Sequence, residues 1–235
     1  MADLPEPIPA KTYSFFDAMI KAVTSPSQAT YSSLAQDPYT TPGKAFLWVG
    51  IASAISSFIG IVLFQIFPRN PVIDLFNQYG SGYWDMPVRT NGFGIVISLI
   101  CGIPIGIVVS VIAFAILVGL LHLVAKMMGG SGDYGKLAYM LALIFVPFTL
   151  INSILAPIPW VGCISFLITI YMFVLQVLAI NAVYEFGIAK AVVTLIIPLV
   201  VLCLIVVCLV VGLGAALVAI FSNSTSNFPQ GLPIP

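Results

Sequence analysis

Five long apolar stretches carry most of this chain: Lys44–Phe67, Gly92–Met127, Tyr134–Ala156, Trp160–Asn181 and Ala191–Ser222. Crossing a hydrocarbon core of roughly 30 Å takes about 20 helical residues, and every stretch is long enough. Inside lipid each backbone N–H and C=O must be satisfied within its own element, so the stretches are expected to be helices. The pattern therefore reads as an all-α, polytopic transmembrane bundle of five spans over residues 44–222. An N-terminal segment, 1–43, precedes it and a tail, 223–235, follows. The second stretch exceeds what a membrane needs and is expected to tilt, extend or kink at Pro104. In the fifth, Pro198 is expected to separate an interfacial start from the true span. Short connections at Met128–Asp133 and Ala156–Trp160 make the second, third and fourth helices antiparallel neighbours.

The N-terminal segment has its own periodicity. Phe15, Phe16, Met19, Ile20 and Val23 recur at helical spacing, with Asp17 and Lys21 four apart on the other face, able to pair. Ser25-Pro26 reads as the start of a second helix, with Ser as cap and Pro in the first turn, and Asp37-Pro38 as its end. Two short helices are expected, lying in the interface or packed under the bundle. The apolar face is the candidate surface for lipid or a partner.

Pro68–Asn91 is the longest connection. Phe76, Tyr79, Tyr83 and Trp84 suit the headgroup level, and Val72–Gln78 could form a half-helix.

Charge sets the orientation. Lys11, Lys21, Lys44, Lys126, Lys136 and Lys190 flank one side, and Arg69 and Arg89 the other. The positive-inside rule then places a cell-membrane protein with its N-terminus cytoplasmic and its C-terminus extracytoplasmic. Met1–Ala10 is acidic and Pro-rich, without a basic stretch leading into an apolar one, so the first span is expected to act as the insertion signal. Only 7% of residues are charged, against about 25% in soluble domains, and the net charge is +0. No footprint for nucleic acid exists.

The chemistry offered is sparse. Gly94, Ser98, Gly102, Gly106 and Ser110 recur every fourth residue, a small-residue stripe that permits close helix packing within the chain or against a second copy or partner. Shorter echoes are Ala52/Ser56/Gly60 and Gly212/Ala216. The turn containing Gly129, Gly130 and Lys136 resembles a phosphate loop, but Leu137 stands where Ser or Thr would hold magnesium, and no strand precedes it. A helix stop and tight turn explains it better. His122, the single histidine, cannot build a metal site alone; an interfacial hydrogen bond or a proton relay are its two readings. Thr149, Asn152, Ser153, Thr169 and Gln176 are expected to form interhelical hydrogen bonds. Cys101, Cys163, Cys203 and Cys208 read as packing residues. No catalytic set, metal ligands or cofactor-binding residues are seen.

Four segments carry a family resemblance: Thr24–Leu34 (TSPSQATYSSL), His122–Tyr139 (HLVAKMMGGSGDYGKLAY), Pro157–Gly162 (PIPWVG) and Tyr184–Ala191 (YEFGIAKA). Together they resemble the Yip-domain family of Ypt/Rab-interacting membrane proteins, over roughly Phe15–Leu209. The resemblance implies five helices and a cytoplasmic N-terminus. In eukaryotic members it implies binding of small Rab-type GTPases in vesicle budding or fusion. This chain lacks the long cytoplasmic region and a D-L-Y-G-P-like stretch before the first span, so it resembles the short prokaryotic branch. The expectation is a non-catalytic membrane-organising or accessory subunit. It would work with the lipid bilayer and a membrane-protein partner or a second copy. The competing expectation is a small-molecule transporter or lipid-handling protein.

Overall fold

The computed structural model describes residues 13–37, 40–66, 92–156, 158 and 161–226, and every regular element among them is helical. Two short helices come first, α1 (Phe15–Thr24) and α2 (Gln28–Ala35), followed by α3 (Pro42–Ile66). After the connection come α4 (Gly92–Ile97), a π-turn (Ser98–Gly102) and α5 (Ile103–Met127), which run on as one rod. The last three are α6 (Tyr134–Leu155), α7 (Gly162–Tyr184) and α8 (Ile188–Ser226). Five helices are long and apolar enough to cross a membrane: Pro42–Leu63, Gly94–Met127, Tyr134–Leu155, Ile164–Tyr184 and Ile188–Ile205. The five-span helical bundle read from the apolar stretches is the fold.

Helix α6 is the axis of the bundle. Every side chain from Leu137 to Ile144 is buried, because α1, α2, α3, α5 and α7 all pack on it. Its most extensive neighbour is α3, where Ala45, Val49 and Ala52 are buried. The spans' outer faces keep large apolar residues exposed, such as Ile55 and Phe58 on α3 and Leu204 on α8. That is the reverse of a soluble protein and fits a lipid solvent.

Several local expectations change. Pro104 sits at the start of α5 directly after the π-turn. Proline has no N–H for the preceding turn, and a wider turn accommodates the missing bond within an unbroken rod. Helix α8 runs unbroken through Pro198 from Ile188. The cap of α2 is Ser27, whose Oγ accepts from the Thr30 N–H at 3.1 Å, and Ser25 instead closes α1. A residue before proline avoids helical geometry, which keeps Ser25 out of both helices. The last helix runs four residues into the segment read as the tail, to Ser226. The loop aromatics, the Val72–Gln78 half-helix, the rest of the tail and the acidic start lie outside the described residues, and so does most of the Pro157–Trp160 connection.

Candidate functional site

The described polar chemistry gathers where α5 ends, α6 begins, α7 ends and α8 begins. Helix α5 closes on Gly129, whose φ of 86° is a backbone conformation that suits glycine. The Gly129 N–H bonds the Lys126 carbonyl at 3.0 Å and the Gly130 N–H the Ala125 carbonyl at 2.9 Å, the paired bonds of a Schellman stop. Asp133 then caps α6, its Oδ2 accepting from the Gly135 and Lys136 N–H groups at 2.8 and 3.2 Å. Lys136 is exposed on the first turn.

This turn is seated on the end of α7. A Cβ on Gly130 would stand 2.6 Å from the Tyr184 ring, and one on Gly132 would stand 2.7 Å from both that ring and the Val183 carbonyl. Only glycine permits the approach. Opposite, α7 stops at Glu185 (φ 53°) and Gly187 (φ 93°), and Asn181 Oδ1 accepts from the Gly187 N–H at 2.9 Å. His122 Nδ1 and the Tyr184 hydroxyl share a 2.5 Å hydrogen bond, and the His122 ring lies edge-on to Tyr134 at 5.7 Å. The Thr194 hydroxyl donates to the Lys190 carbonyl of its own helix at 2.8 Å and lies 3.5 Å from Met128 Sδ. Four helix ends are thus tied together around Tyr184. Sequence reasoning passed over Tyr184, Asp133 and Asn181. The available signals were the Asp before an apolar helix and the Tyr-Glu-Phe-Gly turn after one.

The N-terminal helices complete this end. Phe15 stacks on Trp48 with centroids 4.6 Å apart and meets Tyr139 edge-on at 5.9 Å. Ala18 and Ala22 are buried with it, while Met19 and Val23 are partly buried. Phe16 and Ile20 point outward, 51% and 56% exposed. The five apolar residues therefore divide between two faces, because the small alanines, not the large residues, make the closest approach. Lys21 turns to Tyr13: its Nζ donates to the Tyr13 hydroxyl at 2.8 Å and lies 4.5 Å from the ring centroid. Asp37 Oδ2 accepts from the Tyr13 N–H at 3.0 Å, which joins the ends of α1 and α2. The buried Tyr31 hydroxyl donates to the Ala22 carbonyl at 3.0 Å.

The small-residue stripe does not present one face. A Cβ on Gly106 would meet Ser57 Oγ at 3.1 Å, whereas among the described residues one on Gly102 would meet nothing within 4 Å. Gly94, Ser98 and Ser110 are partly buried. The π-turn between them rotates the register that a regular helix would hold. The deep hydroxyls also bond differently from expectation: Thr149, Ser153 and Thr169 donate to carbonyls of their own helix, at Phe145, Leu150 and Ser165. That satisfies each hydroxyl without a neighbour. Ser56 does cross between helices, donating to the Thr149 carbonyl at 3.3 Å.

The Yip1 domain matches residues 20–211. The chain belongs to the Yip1-domain family. The match takes in α2, all five spans and the Gly129–Lys136 turn, so the Tyr184-centred cluster lies within the Yip1 domain. No curated protein and no solved structure matches the chain.

Proposed function

We propose that this Yip1-domain protein is a non-catalytic membrane-organising or accessory subunit, with its N-terminal side in the cytoplasm. The observation that carries the reading is the placement of charge. Within the described spans the charged residues sit only at the ends, and Lys44, Lys126, Lys136 and Lys190 are exposed around the end that holds the Tyr184 cluster. Ion-coupled carriers keep charge at depth, where it is costly and retained for function. With Asp133 and Glu185 also exposed at this end, the four lysines leave a net cationic rim over a tightly packed platform, which suits the acidic surface of another membrane protein.

The test is affinity purification in mild detergent with quantitative mass spectrometry, comparing the native chain with Lys126→Glu, Lys136→Glu and Lys190→Glu combined. A membrane protein recovered in stoichiometric amount with the native chain and lost from the variant supports the reading. A chain that purifies as an isolated single copy in both cases overturns it.

One observation favours the second reading, a transporter or lipid-handling protein. A cleft of about 120 Å³ among Leu117, Phe173, Leu195, Leu199 and Leu202 includes Gln176, an amide within a span. Uptake of a small amphiphile by reconstituted vesicles, abolished by Gln176→Leu, would establish that reading in its place.

A further inference from the structure

We propose that α1 and α2 form a re-entrant hairpin, entering the leaflet on the N-terminal side to about mid-membrane, with water and lipid headgroups drawn down along the outer face of α2. The proposal goes beyond the accessory role and does not depend on it.

Register establishes the depth. The hairpin's open end is level with the start of α6, where Phe15 meets Tyr139 and Asp37 joins Tyr13. Its closed end is level with the middle of the bundle. The Tyr171 hydroxyl donates to the Val23 carbonyl at 2.5 Å, and the Tyr171 ring lies 6.1 Å from Phe148. Phe148 is nine residues beyond Tyr139, about 13 Å along α6 at 1.5 Å per residue. Phe15 to Val23 covers about 12 Å by the same rise. Helix α1 therefore runs alongside α6, and α2 returns beside α7. The spans α6 and α7 have 22 and 21 residues, about the length that the hydrocarbon core requires. Little of either can stand outside it, so the Ser25–Ser27 turn lies at membrane depth.

Polarity identifies what surrounds it. Gln28 and Gln36 are exposed along and just after α2, and Ser25 is exposed at the turn, while the exposed Thr24, Ser27 and Ser33 hydroxyls bond locally, to the Ile20 carbonyl, the Thr30 hydroxyl and the Thr30 carbonyl. A helix start leaves amides without intrahelical partners, and of these Ser27 satisfies the Thr30 N–H. Non-helical backbone at this depth is tolerated only inside protein or against water. Meanwhile Phe16 and Ile20 on α1 offer an apolar surface to acyl chains. Lys21 points back along the helix to Tyr13, as a cation does when its stem is in lipid and its head seeks the surface. A polar flank beside an apolar one, both reaching mid-bundle, fits a local depression of the leaflet.

The experiment uses the full chain in lipid nanodiscs, with its native cysteines replaced by alanine. Nitroxide labels are placed singly at Ser25, Gln28 and Ile55, all exposed. Ile55 lies beside Ser56, which bonds Thr149, and so stands at similar depth on another flank. Collision with a water-soluble nickel complex and with oxygen is read by power saturation. The expected result is nickel accessibility several-fold higher at Ser25 and Gln28 than at Ile55, with Ile55 favouring oxygen. Equal oxygen-dominated accessibility at all three would place the face in acyl chains and overturn the proposal. Nickel access at Ile55 as well would show that this level lies outside the bilayer. Shielding of Gln28 from both reagents would show a second chain covering the face. Either of these also overturns it.

Discussion

The Tyr171 hydroxyl, midway along a membrane span, donates to the Val23 carbonyl at the end of an N-terminal helix 148 residues earlier. With Tyr31 bonded to the Ala22 carbonyl, it satisfies two of the last carbonyls of α1, which have no partner in their own helix. Tyr171→Phe should remove one bond and keep the ring against Phe148. A loss of about 1 kcal/mol is expected, read as faster tryptic cleavage after Lys21 in nanodiscs. An unchanged cleavage rate would mean that the bond does not hold the hairpin.

The two close glycines can be separated from the open ones. Gly130→Ala and Gly132→Ala each drive a methyl into Tyr184, whereas Gly119 has open space. The first two should each cost about 1–3 kcal/mol, seen as a lower melting temperature in detergent, with Gly119→Ala, inside helix α5, at or above the melting temperature of the native chain. Equal effects at all three would remove the turn-on-tyrosine packing from the account.

Gly106 and Gly102 distinguish contacts within the chain from contacts outside it. Gly106→Leu should lower thermal stability, because Ser57 stands where its side chain must go. Gly102→Leu should leave the melting temperature unchanged, since among the described residues nothing lies within 4 Å of a Cβ there. A smaller complex in detergent on Gly102→Leu alone would show that a second copy or partner packs there.

Ser53 is 4% exposed and its Oγ is the buried side-chain polar atom without a partner among the described residues. Burying an unbonded hydroxyl costs free energy. Ser53→Ala should therefore raise stability, by about 1 kcal/mol. A melting temperature that falls would show that the hydroxyl is bonded in the membrane.

The proposed orientation rests on the charge count and is checked chemically. A cysteine at Lys136 should resist an impermeant thiol reagent in intact cells, and one at Asn227 should react. The opposite labelling would place the lysine rim outside the cell and end the accessory reading as stated.

The sequence by itself determined the spans, because lipid demands long apolar helices and leaves few alternatives to read. It also determined the stop at Gly129 and the break between the two N-terminal helices, since glycine and proline act through local backbone geometry. Four short segments were enough to point to the Yip-domain family. Only the tertiary structure decided which way faces turn. Phe15 and Phe16 look equivalent in a periodic pattern, yet Phe15 is buried and stacked on Trp48, whereas Phe16 meets the same ring only edge-on at 4.9 Å and stays half exposed. The stripe from Gly94 to Ser110 looks continuous until a π-turn rotates it. Tyr171 carries no local signal at all; its role arises from a helix 148 residues away that the chain brings to its side. Local geometry is written in neighbouring residues, whereas depth and facing depend on contacts between segments that no short window contains.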